Sequence, residues 1–341
     1  MKKNMVLFAF TIFFFFFSFG TVFAQRGSAR GEVVNIRFAS PLPRNSDWGR
    51  ALDRMAADWE RVTNNQVRVI VNHDGREGNE TKMLSSLSSD AIQVGVFSSA
   101  GIAEICPAVM NLSVPFMIRN ERELDMVLPD VLPSLEQKVK NEFVVIAWSK
   151  GGWVYLFSKE PALTPDDLRR QKIGTSPELK DMNTVFRTMG FQLVESDWVN
   201  IGTRLASNMV NTIYVIPALI APMQLHRSLN HMLDLPIAPV MGAIVMNRVT
   251  WNKLTPAQQQ EILKSTRKVA AEFDASMSRT EANAISAMGR DGLAVNKPSQ
   301  AQQELWNKEL QSVLPSLIGQ LFDRDLYSRI NEILEKARSG R

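Results

Sequence analysis

Short stretches with the alternating pattern of a β-strand and longer stretches with helical spacing follow one another along most of this 341-residue chain. The first strand pattern contains Val34, Ile36 and Phe38, and helical spacing begins soon after it at Trp48 and Leu52. This alternation predicts an α/β fold in which strands of a largely parallel sheet are flanked by helices. Because the length exceeds that of one ordinary domain, we expect two lobes with a sizeable core.

Two adjacent glycines, Gly151 and Gly152, separate two strong strand patterns near the middle of the chain. One pattern runs from Phe143 to Trp148, and the other contains Trp153 and Phe157. Glycine lacks a Cβ atom and relaxes the backbone, so the pair predicts a hinge between the lobes.

Helix starts are marked by a threonine followed by a proline, at Thr164-Pro165 and at Thr255-Pro256. Threonine caps the first turn, and proline fits the first helical position. The second start opens a helical pattern that continues to Met288 without a helix-breaking residue. Its length would be roughly 50 Å, which is enough to lie behind both lobes.

The N-terminus has the features of an export signal. Lys2 and Lys3 precede an apolar stretch from Met5 to Phe19, and small residues lead to Ala24. Residues 1–24 are therefore predicted to be a signal peptide, with an uncleaved membrane anchor as the alternative, and residues 25–32 to be a linker. Removing the two lysines of the leader lowers the formal net charge from +4 to +2. That small value gives no indication of nucleic-acid binding.

The sequence contains few residues with catalytic or metal-binding chemistry. His226 and His231 are five residues apart, which does not place two ligands on one helix face, and Cys106 is the only cysteine. No nucleophile-elbow, Walker or dinucleotide-binding motif is present. We therefore expect no cofactor and no metal, and a binding protein rather than an enzyme.

The order of several short segments resembles the extracytoplasmic solute-binding subunits of TRAP transporters, the DctP-type family, over about residues 33 to 325. The segments are Val114 to Met117, Pro161 to Leu168, Lys172 to Gly174, and Trp251 to Pro256. The resemblance implies a two-lobed, periplasmic-binding-protein-like fold with hinge strands and a long helix in the C-terminal half that spans both lobes. It also implies a periplasmic protein that closes over a solute and delivers it to membrane permease subunits.

The hinge and the long helix suggest how the chain divides between the lobes. We predict that residues 33–150 and 236–273 form lobe I, and that residues 151–235 and 274–341 form lobe II.

Two departures from the family pattern bear on the ligand. In the resembling family, an arginine that binds the solute carboxylate normally follows Lys172-Ile173, but Gly174 stands there in this chain, and Trp153 occupies a second position that is often arginine. An unpaired buried carboxylate costs several kcal/mol, about 2 or more, so the exchange predicts a cleft for an apolar or amphipathic ligand. The residues predicted to line it are Trp48, Phe97, Phe116, Trp153, Tyr155, Gly174, Ile213, Tyr214 and Pro217.

Three alternatives stay open at this point. In the first, Trp48 and Trp153 are only core aromatics. In the second, the ligand is an organic acid, and its carboxylate is bound by a substitute arginine, which could be Arg187, Arg204 or Arg44. The third is a two-lobed sensor that reports ligand occupancy to a membrane receptor. The subgroup of the family that lacks the arginine works with a periplasmic tetratricopeptide-repeat protein, so the resemblance implies such a partner here.

Overall fold

The computed structural model describes residues 33–221 and 223–339. The predicted signal peptide and linker, residues 1–32, lie outside this part of the chain. The described strands are β1 (Val34–Ala39), β2 (Val67–Asn72), β3 (Val94–Ser98), β4 (Phe143–Ser158), β5 (Lys172–Thr175), β6 (Gln192–Glu195), β7 (Thr212–Val215), β8 (His231–Leu233), β9 (Ala238–Asn247) and β10 (Ala294–Asn296).

The helices fall between the strands, as the alternating pattern predicts. They are α1 (Asp47–Val62), α2 (Glu80–Ser88), α3 (Ser99–Ala103), α4 (Glu121–Val139), α5 (Pro165–Arg169), α6 (Lys180–Thr188), α7 (Ile201–Ala206), α8 (Pro217–Ile220), α9 (Arg248–Lys253), α10 (Pro256–Arg290), α11 (Gln300–Leu317) and α12 (Arg324–Ser339). Among the helices described, none is both long enough and apolar enough to cross a membrane.

The strands pair in the order β2-β1-β3-β9-β4-β7-β5-β6, with β8 added to β4 and β10 added to β8. At one end β1 pairs in parallel with β2 and β3, and at the other end β5 pairs in parallel with β6 and β7. We call these two parts the first lobe and the second lobe. Strands β4 and β9 pair antiparallel between them and join the lobes. The predicted boundaries of the lobes stay a prediction.

The two strand patterns on either side of Gly151-Gly152 form one continuous strand, β4, rather than two strands separated by a break. The pairing of β4 with β9 shifts register between Lys150 and Gly152, which marks a β-bulge. Gly152 has a φ of +99°, a conformation that side chains other than glycine rarely adopt. The glycines therefore bend the strand without interrupting it.

The long helix α10 begins where the sequence predicts. The Thr255 side chain accepts a hydrogen bond from the backbone N–H of Gln258, and the Gln258 side chain caps the Thr255 N–H in return. This capping box satisfies two backbone donors at the helix start. With 35 residues, α10 is about 52 Å long.

Helices α1 and α10 pack against the sheet of the first lobe. Trp59 of α1 is fully buried, stacks on Phe38 at 5.8 Å between ring centroids, and donates from Nε1 to Thr266 Oγ1 of α10 at 2.7 Å. Burial of a side chain this large is worth several kcal/mol, about 3 or more. The contact fixes α10 on the first lobe, so that its C-terminal half extends beside β4.

Candidate ligand-binding cleft

A cleft lies where the carboxyl ends of the parallel strands in the two lobes face one another. One wall is Ser98 to Ala100, at the end of β3, and the other runs from Glu178 to Met182, with Tyr214 to Ile216 at the end of β7. The carboxyl ends of parallel strands are the usual place for ligands in α/β folds. The inner part of the cleft has a volume of about 210 Å³, and it continues into an outer part of about 600 Å³.

Most side chains that line the inner cleft are apolar. The main ones are Val154, Leu179, Met182, Ile216, Leu219 and Pro239. Contact with such walls stabilises the hydrocarbon part of a ligand by about 25 cal/mol for each Å² removed from water. Hydroxyl groups of a ligand, in contrast, would find few hydrogen-bond partners there.

Tyr214 lines the cleft, and its hydroxyl is engaged by buried polar groups of the second lobe. Its hydroxyl lies 2.9 Å from Thr175 Oγ1 and donates to Asn183 Oδ1 at 3.0 Å. Burial raises the pKa of the Tyr214 phenol, so it stays protonated and remains a hydrogen-bond donor.

An ion pair connects the two lobes across the outer cleft. Lys180, the first residue of α6, donates from Nζ to Oε1 of Glu104, which follows α3, at 2.6 Å. The hydrogen bond with Glu104 raises the pKa of Lys180, so the lysine is charged at neutral pH. Among the described residues that line the cleft, Lys180 is the one basic side chain.

Glu80 of α2 lies in the wall of the outer cleft on the first-lobe side. Its carboxylate accepts hydrogen bonds from the backbone N–H of Ser98 at 3.1 Å and from Ser98 Oγ at 2.9 Å. Burial raises the pKa of Glu80 and outweighs these hydrogen bonds. The Glu80 carboxylate thus holds Ser98, the residue that caps the start of α3.

Of the nine residues predicted to line the cleft, the structure places Tyr214 there. Trp153 and Tyr155 are on the opposite face of β4, because Val154 between them points into the cleft. They line a separate pocket of about 310 Å³ beneath α10. The prediction required Trp153 and Tyr155 to face the cleft, but in the structure Val154 faces it and the two aromatic residues face α10.

Phe97 and Phe116 are buried core residues in the structure, and Trp48 is partly buried against the core of the first lobe. Trp48 packs on Phe273 of α10 with ring centroids 5.9 Å apart, and Phe116 packs on Trp306 at 5.5 Å. Phe97 is 1% exposed. For Trp48 the structure agrees with the alternative of a packing aromatic, since it lies against the core and away from the cleft.

Gly174, Ile213 and Pro217 do not line the cleft either. A Cβ atom at Gly174 would lie 2.7 Å from Ile201 Cδ1 and from Val210 Cγ1, both in the core of the second lobe. Ile213 is fully buried in that core, and Pro217 is buried at the start of α8. The glycine that replaces the family arginine is therefore covered by apolar side chains in this chain.

The arginines considered as substitutes do not reach the cleft. Arg187 pairs with Glu195, and Arg44 pairs with Asp53 at 3.6 Å. Arg204 is likewise absent from the described lining. Lys180 and Glu104, which form the ion pair of the cleft, have no distinguishing signal in the sequence, since 76 positions separate them.

The pocket beneath α10 contains a second charged cluster. Lys150 of β4 pairs with Glu121 of α4 at 3.0 Å and with Asp125 at 2.5 Å, and Ser278 of α10 donates to Glu121 at 2.6 Å. Burial raises the pKa of Asp274, which lies beside Lys150, to about 6. In the part of the chain covered by the structure, no group of three or more acidic, histidine or cysteine side chains is arranged to hold a metal ion.

Two α/β lobes that face one another across a cleft, joined by hinge strands and backed by one long helix, define a two-lobed solute-binding protein. The model of the bacterial extracellular solute-binding protein family 7, DctP, matches residues 38–320. The chain belongs to this family.

Individual relatives agree with the family assignment. A solute-binding protein of Verminephrobacter eiseniae is 24% identical over 275 residues, which cover 77% of this chain and 79% of the relative. Two crystal structures of TRAP periplasmic solute binding proteins have the same fold. One, from Ralstonia eutropha with bound (S)-2-acetolactate, has a TM-score of 0.80 and 18% identity, covering 89% of this chain and 99% of that one. The other, from Pseudomonas putida with bound D-glucuronate, has a TM-score of 0.75 and 20% identity, covering 87% and 97%. The predicted two-lobed α/β fold is confirmed.

Proposed function

We propose that this protein captures a small organic acid with an apolar body and delivers it to the membrane permease subunits of a TRAP-type transporter. The observation that carries this proposal is Lys180, a cation at the mouth of a cleft whose inner walls are apolar. The proposal takes up the organic-acid alternative in place of the predicted apolar ligand, with Lys180 in the role first considered for an arginine. Transport is favoured over the sensor alternative because both crystallised relatives described above are TRAP proteins.

The ligands of the relatives support a carboxylate. Acetolactate and glucuronate each carry one carboxylate, and they differ in how many hydroxyl groups they carry. The apolar walls around Val154 and Leu219 offer few partners for the hydroxyls of a sugar acid. An acid with a short hydrocarbon body fits these walls better.

The start of α6 adds to the electrostatic attraction between the cleft and a ligand carboxylate. Lys180, Asp181 and Met182 form its first turn and line the cleft. A short 3-10 turn, Pro177–Leu179, leads directly into α6, and the Ser176 side chain caps this turn by accepting from the N–H of Glu178. Backbone N–H groups at a helix start favour negative charge, and a ligand carboxylate beside Lys180 would be close to them.

Closure of the lobes would strengthen these interactions. Lys180 is 59% exposed in the structure, so water weakens its attraction for an anion. Hinge motion that brings the walls together over a solute removes that water and strengthens the ion pair. Export to the periplasm would place the cleft where external solutes arrive. The tetratricopeptide-repeat partner is a separate matter and stays a prediction.

Isothermal titration calorimetry tests the proposal with short-chain and branched 2-oxo acids, sugar acids and neutral alcohols of equal size. We expect the 2-oxo acids to bind and the alcohols to bind at least about 10-fold more weakly, a difference of about 1.4 kcal/mol. Lys180→Met should lower the affinity for acids at least about 10-fold. Lys172→Met, an exposed lysine of the same lobe away from the cleft, is the matched control. Equal binding of acids and alcohols, or an unchanged affinity in Lys180→Met, would contradict the proposal.

A further inference from the structure

The side chains that line the cleft carry an excess of negative charge. In the described part of the chain, five carboxylates and one ammonium group line its inner and outer parts. They are Glu80, Glu104, Glu178, Asp181 and Asp197 against Lys180. A purely anionic solute would bind less favourably than a ligand that also carries a positive charge, because the one attractive charge is surrounded by several of the opposite sign.

The one cation is already paired. Lys180 Nζ lies 2.6 Å from Glu104 Oε1, and Glu104 is about one-third exposed. A ligand carboxylate that binds Lys180 competes with Glu104 for the ammonium group and weakens this ion pair. Without this partner, Glu104 would share the first-lobe side of the closing cleft with Glu80, a carboxyl whose pKa is raised by burial and, to a smaller extent, by repulsion from Glu178 on the opposite wall. An unpaired carboxylate in a site that loses its water is costly.

Glu80, a second carboxylate on the first-lobe side of the cleft, is less available to a ligand than Glu104. Glu80 accepts hydrogen bonds from the N–H and the hydroxyl of Ser98, so its acceptor atoms are engaged by the protein. Glu104, in contrast, has Lys180 as its ion-pair partner in the structure. A ligand that separates this pair must therefore provide a new partner for each half.

Building on the proposed function, we propose that the solute is a zwitterion with an apolar body, whose carboxylate binds Lys180 and whose cationic nitrogen binds Glu104. Such a ligand exchanges one ion pair for two and leaves neither protein charge unpaired. Its hydrocarbon part then lies against Val154, Ile216 and Leu219 in the inner cleft. Apolar α-amino acids and their N-methylated derivatives have this combination of groups.

Matched ligands separate the charge requirements. Leucine, 4-methyl-2-oxopentanoate and 3-methylbutylamine share one hydrocarbon body and are a zwitterion, an anion and a cation. The calorimetric panel extends this comparison to alanine, valine, isoleucine, methionine, phenylalanine and trimethylglycine, with the 2-oxo acid that corresponds to each amino acid. We expect the best zwitterion to bind at least about 10-fold more tightly than its 2-oxo acid and than the amine.

The variant Glu104→Gln gives a second test, because it should affect the affinity for zwitterions and the affinity for 2-oxo acids differently. It should weaken zwitterion binding at least about 10-fold, because the cationic nitrogen loses its partner. It should leave the binding of 2-oxo acids unchanged or tighter, because Lys180 is then free of competition. Asp130→Asn, which removes an exposed ion pair with Arg329 outside the cleft, is the matched control and should change neither affinity.

The outcomes separate this inference from the proposed function. If 2-oxo acids bind as tightly as or more tightly than zwitterions, the inference is overturned and the proposed function stands. If only the amine or neutral compounds bind, both are overturned. If no zwitterion in the panel binds, or if Glu104→Gln lowers both affinities equally, the inference is likewise overturned.

Discussion

The backbone N–H of Trp153, in the hinge strand β4, donates a hydrogen bond of 2.8 Å to the carboxylate of Glu281 in helix α10. Two turns earlier on the same helix, Asp274 accepts a hydrogen bond of 2.9 Å from the backbone N–H of Lys150. The register of β4 shifts between these two N–H groups, where the bulge occurs. Because α10 also packs on the first lobe, it holds the bend of the strand that joins the two lobes.

The variant Asp274→Asn should be more stable than the native protein at pH 7.5. Burial raises the pKa of Asp274 from 3.8 to about 6, so the folded state binds its proton more tightly than the unfolded state. The stability that this group contributes is present below about pH 4 and is lost as the pH rises through 6. Asparagine mimics the neutral form and avoids the loss, which we put at about 1 kcal/mol after discounting for partial exposure.

Urea unfolding at pH 4 and pH 7.5 measures this effect. The gain in the free energy of unfolding should be seen at pH 7.5 and should disappear near pH 4. In thermal unfolding at pH 7.5 it corresponds to a rise in Tm of about 2 °C. Glu272→Gln, which alters an exposed carboxylate of the same helix, is the control and should show little change. An Asp274→Asn variant that is less stable at pH 7.5 would show that the charge on this carboxylate stabilises the fold.

The variant Gly152→Ala should destabilise the protein by about 1–3 kcal/mol. Its φ of +99° is unfavourable for alanine, and a Cβ atom would lie 2.8 Å from Glu281 Oε2. The new methyl group would also displace the carboxylate that accepts from Trp153. Gly289→Ala is the matched control, because nothing lies within 4 Å of a Cβ at that position in α10 and alanine favours a helix by about 0.5–1 kcal/mol. Urea unfolding should therefore give changes of opposite sign, and equal changes would argue against strain at Gly152.

Local signals predicted the elements well because each depends on a few neighbouring residues. The capping threonines Thr164 and Thr255 begin helices as expected, and the β1 pattern forms a strand. The cleft was harder to predict because the two residues of its ion pair, Glu104 and Lys180, come from different lobes. The alternation along β4 also gives no information about which of its faces is turned to the ligand, so the pattern could not decide between Trp153 and Val154.

The variant Gly174→Arg should not create a carboxylate site. The space next to Gly174 is filled by Ile201 and Val210, which a longer side chain must displace. We expect a loss of stability of about 1–3 kcal/mol from overpacking, and no gain in affinity for 2-oxo acids or succinate. Urea unfolding and calorimetry check the two parts, with Gly202→Arg, at an open position of α7, as the control. Tighter acid binding in Gly174→Arg would mean that the chain at this position can rearrange toward the cleft.

Neighbouring positions of β4 should respond differently to substitution when ligand binding is measured. Val154 points into the cleft, so Val154→Asn should weaken the tightest ligand of the calorimetric panel at least about 10-fold by placing a polar group against its hydrocarbon body. Trp153→Ala should lower stability and change that affinity less than about twofold, because the indole lies beneath α10. Thermal unfolding shows whether each variant is folded under the conditions of the titration. A large loss of affinity in Trp153→Ala with none in Val154→Asn would place the ligand on the α10 side of the hinge and reject the cleft described here.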